Sequence, residues 1–214
     1  MINIKAHNLN EAWRKAFITL FEMGGKTDNQ KYFSDELIVF EIEDNDTSSF
    51  DPLFPMSQED LALICDFIVT GKNEEAVVHE TTKIYHHRMF DEPRSQVEYM
   101  VKVLNYDEPM GDAQISLWDK HLDQDFFYSP CTLVLWARRK HGYLEFHTHS
   151  HSSDAYKKLL MNLAEFSSFH RYLSGRVDSK VGTYYHIIDS CHIHFEDYDK
   201  ALALYQQLRF GESQ

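Results

Sequence analysis

Apolar residues recur at helical spacing in five stretches of the chain, and alternate or run together in five others. Trp13, Phe17, Leu20 and Phe21 share one face of a helix over 10–23, which Gly24 and Gly25 stop. Ser57 can cap a second helix whose face is Leu61, Ile64, Phe67 and Ile68, ending near Gly71. Val97, Met100, Val101 and Leu104 mark a third. A long helix over 154–173 carries the stripe Leu159, Leu163, Phe166 and Leu173, and a last helix covers 199–208. The strand-like runs are 37–42, 113–118, 131–138, 143–151 and 184–195, with a hairpin turn at 138–142. The acidic loop 43–51 reads as a solvated turn, and Trp13, Trp118 and Trp136 fall on apolar faces as core residues. No repeat or linker interrupts the pattern, which predicts a single α+β domain over 1–214.

Composition narrows the function. The 214 residues carry 21 Lys+Arg against 34 Asp+Glu, a formal charge of -13, which argues against a nucleic-acid or anionic-membrane surface. The longest apolar runs, 61–69 and 133–137, are far short of the roughly 20 residues that span a bilayer. The first eight residues lack the apolar run of a signal peptide. Cys65, Cys131 and Cys191 form no CxxC, and three thiols fit a reducing compartment, so a cytoplasmic protein is expected. Histidine is over-represented, at 13 residues crowded into the second half.

Three segments carry chemistry. Cys131 sits where a loop enters a strand; a lone cysteine is usually a small hydrophobe, and a nucleophilic one needs a positive charge nearby. His147, His149 and His151 alternate along a strand and share one face. They suit a metal, an anion or plain solvent, but an i, i+2, i+4 strip spans about 13 Å, too wide for all three to hold one ion. His192 and His194 share a face opposite Cys191 if that cysteine is core.

The order of these segments resembles the thymidylate synthase superfamily, including its pyrimidine hydroxymethylases, most strongly over 115–205. Ser116 to Trp118 resembles the family's Ser-x-Trp strand end, and Pro130-Cys131 its nucleophile motif. His151, Ser152 and Asp154 resemble Arg-Ser-x-Asp, Asn162 lies eight residues past Asp154 where the family reads its pyrimidine, and His192-Ile193-His194 resembles His-x-Tyr. Upstream, Tyr85 and Gln96 are similar to two further elements.

The resemblance implies a mixed twisted sheet with flanking helices and a homodimer packed sheet to sheet. It also implies a folate-dependent C5 methyl- or hydroxymethyltransferase using 5,10-methylenetetrahydrofolate. Cys131 would then attack C6 of a pyrimidine, splitting one hard substitution into two easier steps. Tyr85, Asp154 and His151 would complete the catalytic group, with Ser152, Asn162, His192 and His194 on the substrate. The departures are specific. Gly111 and Asp112 stand where the family places two phosphate-gripping arginines, and His151 replaces the arginine beside the nucleophile. Bidentate arginine is the natural dianion clamp, so a 5′-phosphate is disfavoured relative to a nucleoside, base or related ring. Two alternatives stand beside the transferase: a non-catalytic binding or scaffold protein, and a metal-dependent one using His149, His151, His192 and His194 in the former nucleotide pocket.

Overall fold

The computed structural model describes residues 1–25, 31–91, 93–106, 111–124 and 129–211. Among them the elements run β1 (Ile2–Ala6), α1 (Leu9–Met23), β2 (Tyr32–Ile42), α2 (Gln58–Thr70), α3 (Glu80–Phe90), α4 (Gln96–Leu104), β3 (Gln114–Ser116), β4 (Thr132–Lys140), β5 (Tyr143–Asp154), α5 (Leu159–Arg176), β6 (Lys180–His194) and α6 (Tyr198–Phe210). Local chemistry explains most boundaries. Asn8 caps α1 by accepting the Glu11 N–H, Ser57 caps α2 by accepting that of Asp60, and Gly71 ends α2 at φ 66°. The hairpin between β4 and β5 turns on His141 and Gly142, both at positive φ (53° and 81°), as a two-residue turn of right-handed twist demands.

The strands form one mixed sheet in the order β1-β2-β6-β5-β4-β3. β1 runs parallel to β2 and β5 to β6, with the remaining neighbours antiparallel. α5 is the crossover joining the parallel pair β5 and β6. One face, formed by Ile38, Phe40, Ile42, Leu144, Phe146, Tyr184 and Ile188, is wholly buried. It packs in one core with Trp13, Phe17, Leu20, Phe166 and Phe169 of α1 and α5. The opposite face carries Val39, Val134, Trp136, His147, His149, His151, Tyr185 and Ile187, all half-buried. The three alternating histidines therefore do share a face, as their spacing predicts.

Two elements are unexpected. β1 is hidden by its alternating Asn3 and Lys5, and exists because it pairs with β2. α3 buries Thr82, Tyr85, His86 and Met89, a mainly polar face with no apolar stripe to read. β2 starts at Tyr32 rather than 37 because Tyr32, Ser34, Asp35 and Glu36 pair with 191–194 of β6. α5 starts at Leu159 rather than 154, because Asp154 still belongs to β5. The acidic loop is no solvated turn: Asn45, Phe50 and Asp51 are buried, and Asn45 donates to His170 Nδ1 at 2.6 Å. Trp13 is core, whereas Trp118 is 38% exposed and Trp136 only half-buried. Among the described residues no helix is long and apolar enough to cross a membrane.

Candidate active site

Pro130 and Cys131 lead directly into β4, and the backbone pins the cysteine in place. The Cys131 carbonyl accepts the His151 N–H at 2.9 Å. Its sulfur accepts from the Ser152 hydroxyl at 3.6 Å. One residue on, the Thr132 N–H donates to the Tyr85 hydroxyl at 3.0 Å. Thr132 also begins a buried polar chain that crosses three strands. Its Oγ1 meets Ser150 Oγ at 2.8 Å, which meets His186 Nε2 at 2.8 Å. His186 Nδ1 meets the Tyr184 hydroxyl at 3.0 Å, and that hydroxyl meets Thr148 Oγ1 at 3.2 Å. Burial pushes His186 down to about 3, so a neutral ring, one nitrogen donating and one accepting, ties β4, β5 and β6 together beneath Cys131.

The end of β5 and the start of α5 supply the next groups. Asn162 donates to the Ser153 hydroxyl at 3.1 Å. Asp154 stands opposite His192 in the β5/β6 register, and the Ala155 N–H donates to the His192 carbonyl at 2.8 Å. The Asp154 carboxylate is committed to the turn, where Oδ1 accepts the N–H groups of Tyr156 (2.9 Å) and Lys157 (3.1 Å). Lys158, Asn162 and Glu165 follow at i, i+4 and i+7, a polar stripe running from the N-cap into the buried helix. Lys158 donates to His79 Nδ1 at 2.6 Å. Burial lowers its ammonium below the ordinary lysine value, against the opposing pull of Glu165, Asp154 and Cys131. Lys158 thus places a cation in the field of the cysteine.

Cys131, Tyr85, Ser152, Asp154 and Asn162 therefore gather where β4 begins and β5 ends. His151 contributes differently from expectation. Its backbone reaches Cys131, while its imidazole lies on the open sheet face in the field of Asp189 and is held below the usual histidine value by burial. The four histidines offered as metal ligands do not converge. His149 Nε2 pairs with Asp189 at 3.0 Å, whereas the His192 ring stacks on Tyr32 (4.1 Å) and edges His194 (4.8 Å). Register separates His149 and His192 by five positions along β5 and β6, roughly 16 Å. Among the described residues no group of three or more His, Cys, Asp or Glu could hold a metal ion. Gly111 and Asp112 are exposed and bring no cation.

Sequence reasoning missed Lys158 and Glu165. The signals were present: a lysine four residues past Asp154, and a lone acid between Leu163 and Phe166 on a buried face. The three thiols now separate. Burial pushes Cys65 up to about 12 and raises Cys191 as well, while Cys131 is half-buried with Lys158 nearby. Iodoacetamide near neutral pH is expected to alkylate Cys131 first, and Lys158→Met to slow that reaction about three- to tenfold. Peptide mapping by mass spectrometry checks both; earlier labelling of Cys65 would contradict them.

No family model matches the chain, and no curated protein matches it. The solved structures do supply a neighbour. The fold is similar to that described as thermostable thymidylate synthase A from Bacillus subtilis, with a TM-score of 0.72, over 93% of this chain and 84% of that one. The identity is 13%, so what the two chains share is the thymidylate-synthase-like α+β fold.

Proposed function

We propose that this chain is a cysteine-dependent transferase acting at C5 of a pyrimidine-like ring, delivering a methyl or hydroxymethyl group. The observation that carries the reading is the Cys131 cluster: a half-buried thiol bonded by Ser152, with Lys158 and Tyr85 in its field. Lys158 brings the cation into the field of Cys131 that the family's arginine at position 151 would have supplied. The thiolate adds to C6 and makes C5 nucleophilic. Asn162, both donor and acceptor, reads the ring amide edge. Tyr85, which burial keeps as a neutral phenol, moves the C5 proton. His192 and its stacked Tyr32 border the sugar side. With no arginine at 111 or 112, a base or nucleoside is a better substrate than a dianionic nucleotide.

The residues present suit the flat ring of 5,10-methylenetetrahydrofolate better than its anionic tail. The half-buried Tyr32 and His194, edge to face at 5.0 Å, supply aromatic surface, but Lys157 is already met by Asp154 (3.8 Å), Glu196 (3.5 Å) and Asp197 (2.6 Å). When bound, the folate would supply the one-carbon unit. The half-buried open sheet face, where His147 Nε2 and His151 Nε2 are buried without partners, supports a homodimer joined sheet to sheet.

Tritium release from C5-labelled uracil, cytosine, their nucleosides and their monophosphates, with and without the folate, tests the reading. Release is expected with base or nucleoside above the monophosphate, and no release from any of them would end it. A second reading, a binding protein without turnover, is favoured by the commitment of Asp154 to its turn. It predicts ligand protection of Cys131 from alkylation with no tritium released.

A further inference from the structure

Glu165 is the most unusual residue in the core. It lies on α5 with no exposure at all, and its Oε2 accepts the Thr82 hydroxyl at 2.9 Å. Its Oε1 is buried with no partner. An acid in such a place is held neutral or paired, since an unpaired buried charge costs several kcal/mol. Polar and titratable groups from three other elements lie in its field. These are Thr82 and Tyr85 from α3, Cys65 from α2 and Tyr184 from β6, joined by Lys158 at the N-cap of its own helix.

The pairing with α3 is the informative one. Thr82 and Tyr85 are three residues apart, one turn, on the same buried face of α3. The ring of Tyr85 packs on Phe166, the residue after Glu165, at 5.3 Å between centroids. The Tyr85 hydroxyl accepts from the Thr132 N–H and also lies within hydrogen-bond reach of the Thr132 hydroxyl. A buried, unpartnered carboxyl oxygen thus shares the field of the Tyr85 phenol, and the phenol in turn shares that of Cys131.

We propose that Glu165 is the proton donor of the Cys131 site, acting through the Tyr85 hydroxyl. This rests on the transferase reading above. As the Cys131 thiolate forms its bond to C6, the C5=C6 electron pair moves to C5 and takes the Tyr85 proton. The Glu165 carboxyl then returns a proton to Tyr85 and becomes a carboxylate. In reverse, a C5 tritium passes to Tyr85, the tyrosine's own proton passes to Glu165, C5=C6 re-forms and the thiolate leaves. The exchange needs no co-reactant. The competent form is therefore thiolate with neutral carboxyl, and burial raises Glu165 to about 8, which keeps it neutral at pH 7.

The same proton has a sign in stability. Between the ordinary carboxyl value of 4.5 and about 8, the folded chain holds a proton that the unfolded chain has released, so stability falls as pH rises across that window. His170 and His186 act oppositely. Burial lowers them to about 4 and about 3 from an ordinary 6.5, so stability falls as pH drops below 6.5. His79, His147, His151 and His192, each also lowered by burial, act with them, so stability is lost on the acid side as well as on the alkaline side.

Glu165→Gln keeps the shape and removes the proton. Tritium exchange from labelled uracil or uridine is expected to fall about 10²-fold, and its alkaline decline near pH 8 to vanish. The fall in melting temperature between pH 6.5 and 8 should vanish too, while Cys131 alkylation continues as a check on folding. Thr82→Val removes a bond that lowers Glu165, so both alkaline limbs should move to higher pH. Exchange by Glu165→Gln at the wild-type rate with the wild-type limb would overturn this proposal alone. No exchange by the wild-type protein would overturn the transferase reading and this role with it.

Discussion

Replacing Cys131 by alanine is expected to cut tritium release from a C5-labelled pyrimidine by at least about 10³-fold, with the fold left intact. The size of the loss follows from covalent addition. Without the thiolate at C6 nothing makes C5 electron-rich, so the remaining residues can bind a ring but cannot activate it. The fold should survive because the Cys131 side chain does little structural work. Its sulfur makes one weak contact at 3.6 Å, while its carbonyl, which does hold β5, is kept by any residue. Cys131→Ala melting within a few degrees of wild type, while release is lost, is the expected pair of results. Release unchanged by the substitution would remove the nucleophile from the account.

Asp123→Ala is expected to destabilise the protein by about 3–5 kcal/mol, or roughly 6–20 °C in melting temperature for a chain of this size. Arg88 grips Asp123 with both guanidinium arms, at 2.7 and 2.8 Å, and also donates to the Leu117 carbonyl. Asp123 accepts the Asp119 N–H at 2.8 Å with its other lone pairs. The side chains are only 17% and 5% exposed, so truncation leaves a largely desolvated guanidinium with the Leu117 carbonyl but no counter-charge. Gln96 extends the clamp by bonding the Arg88 carbonyl and both backbone groups of Ser116. Arg88 holds the Asp123 carboxyl below the usual carboxylate range, so the pair is complete at neutral pH and weakens only in acid. Glu98→Gln, which breaks the exposed pair with Arg176, should cost no more than about 1 kcal/mol by the same denaturation measurement.

Much of the frame was legible because it is written in local rules. The apolar stripe of α1, the Ser57 cap and Gly71 stop of α2, and the His141-Gly142 turn each follow from neighbouring residues. What was not legible depends on partners far along the chain. β1 needs β2, the polar start of β2 needs β6, and the buried polar face of α3 needs Glu165. The site divides the same way. Motif order brought Cys131, Tyr85, Ser152, Asp154 and Asn162 forward, and they lie in one region of the fold. The histidine surplus misled, because period two decides which face a ring takes but not which partner it finds. His149 faces Asp189, His151 offers Cys131 its backbone, and His186 is buried neutral within the sheet. The cation in the field of the cysteine comes instead from Lys158, at a position that the arginine comparison did not point to.

The central claim is that Cys131 bonds covalently to a pyrimidine ring. Intact-mass and peptide-level mass spectrometry of protein quenched with uracil or uridine, with the folate present, measures it directly. The account predicts one ring's mass added to the peptide bearing Cys131, and no addition in Cys131→Ala. A mass unchanged throughout turnover, or an adduct on Cys65 instead, would contradict it.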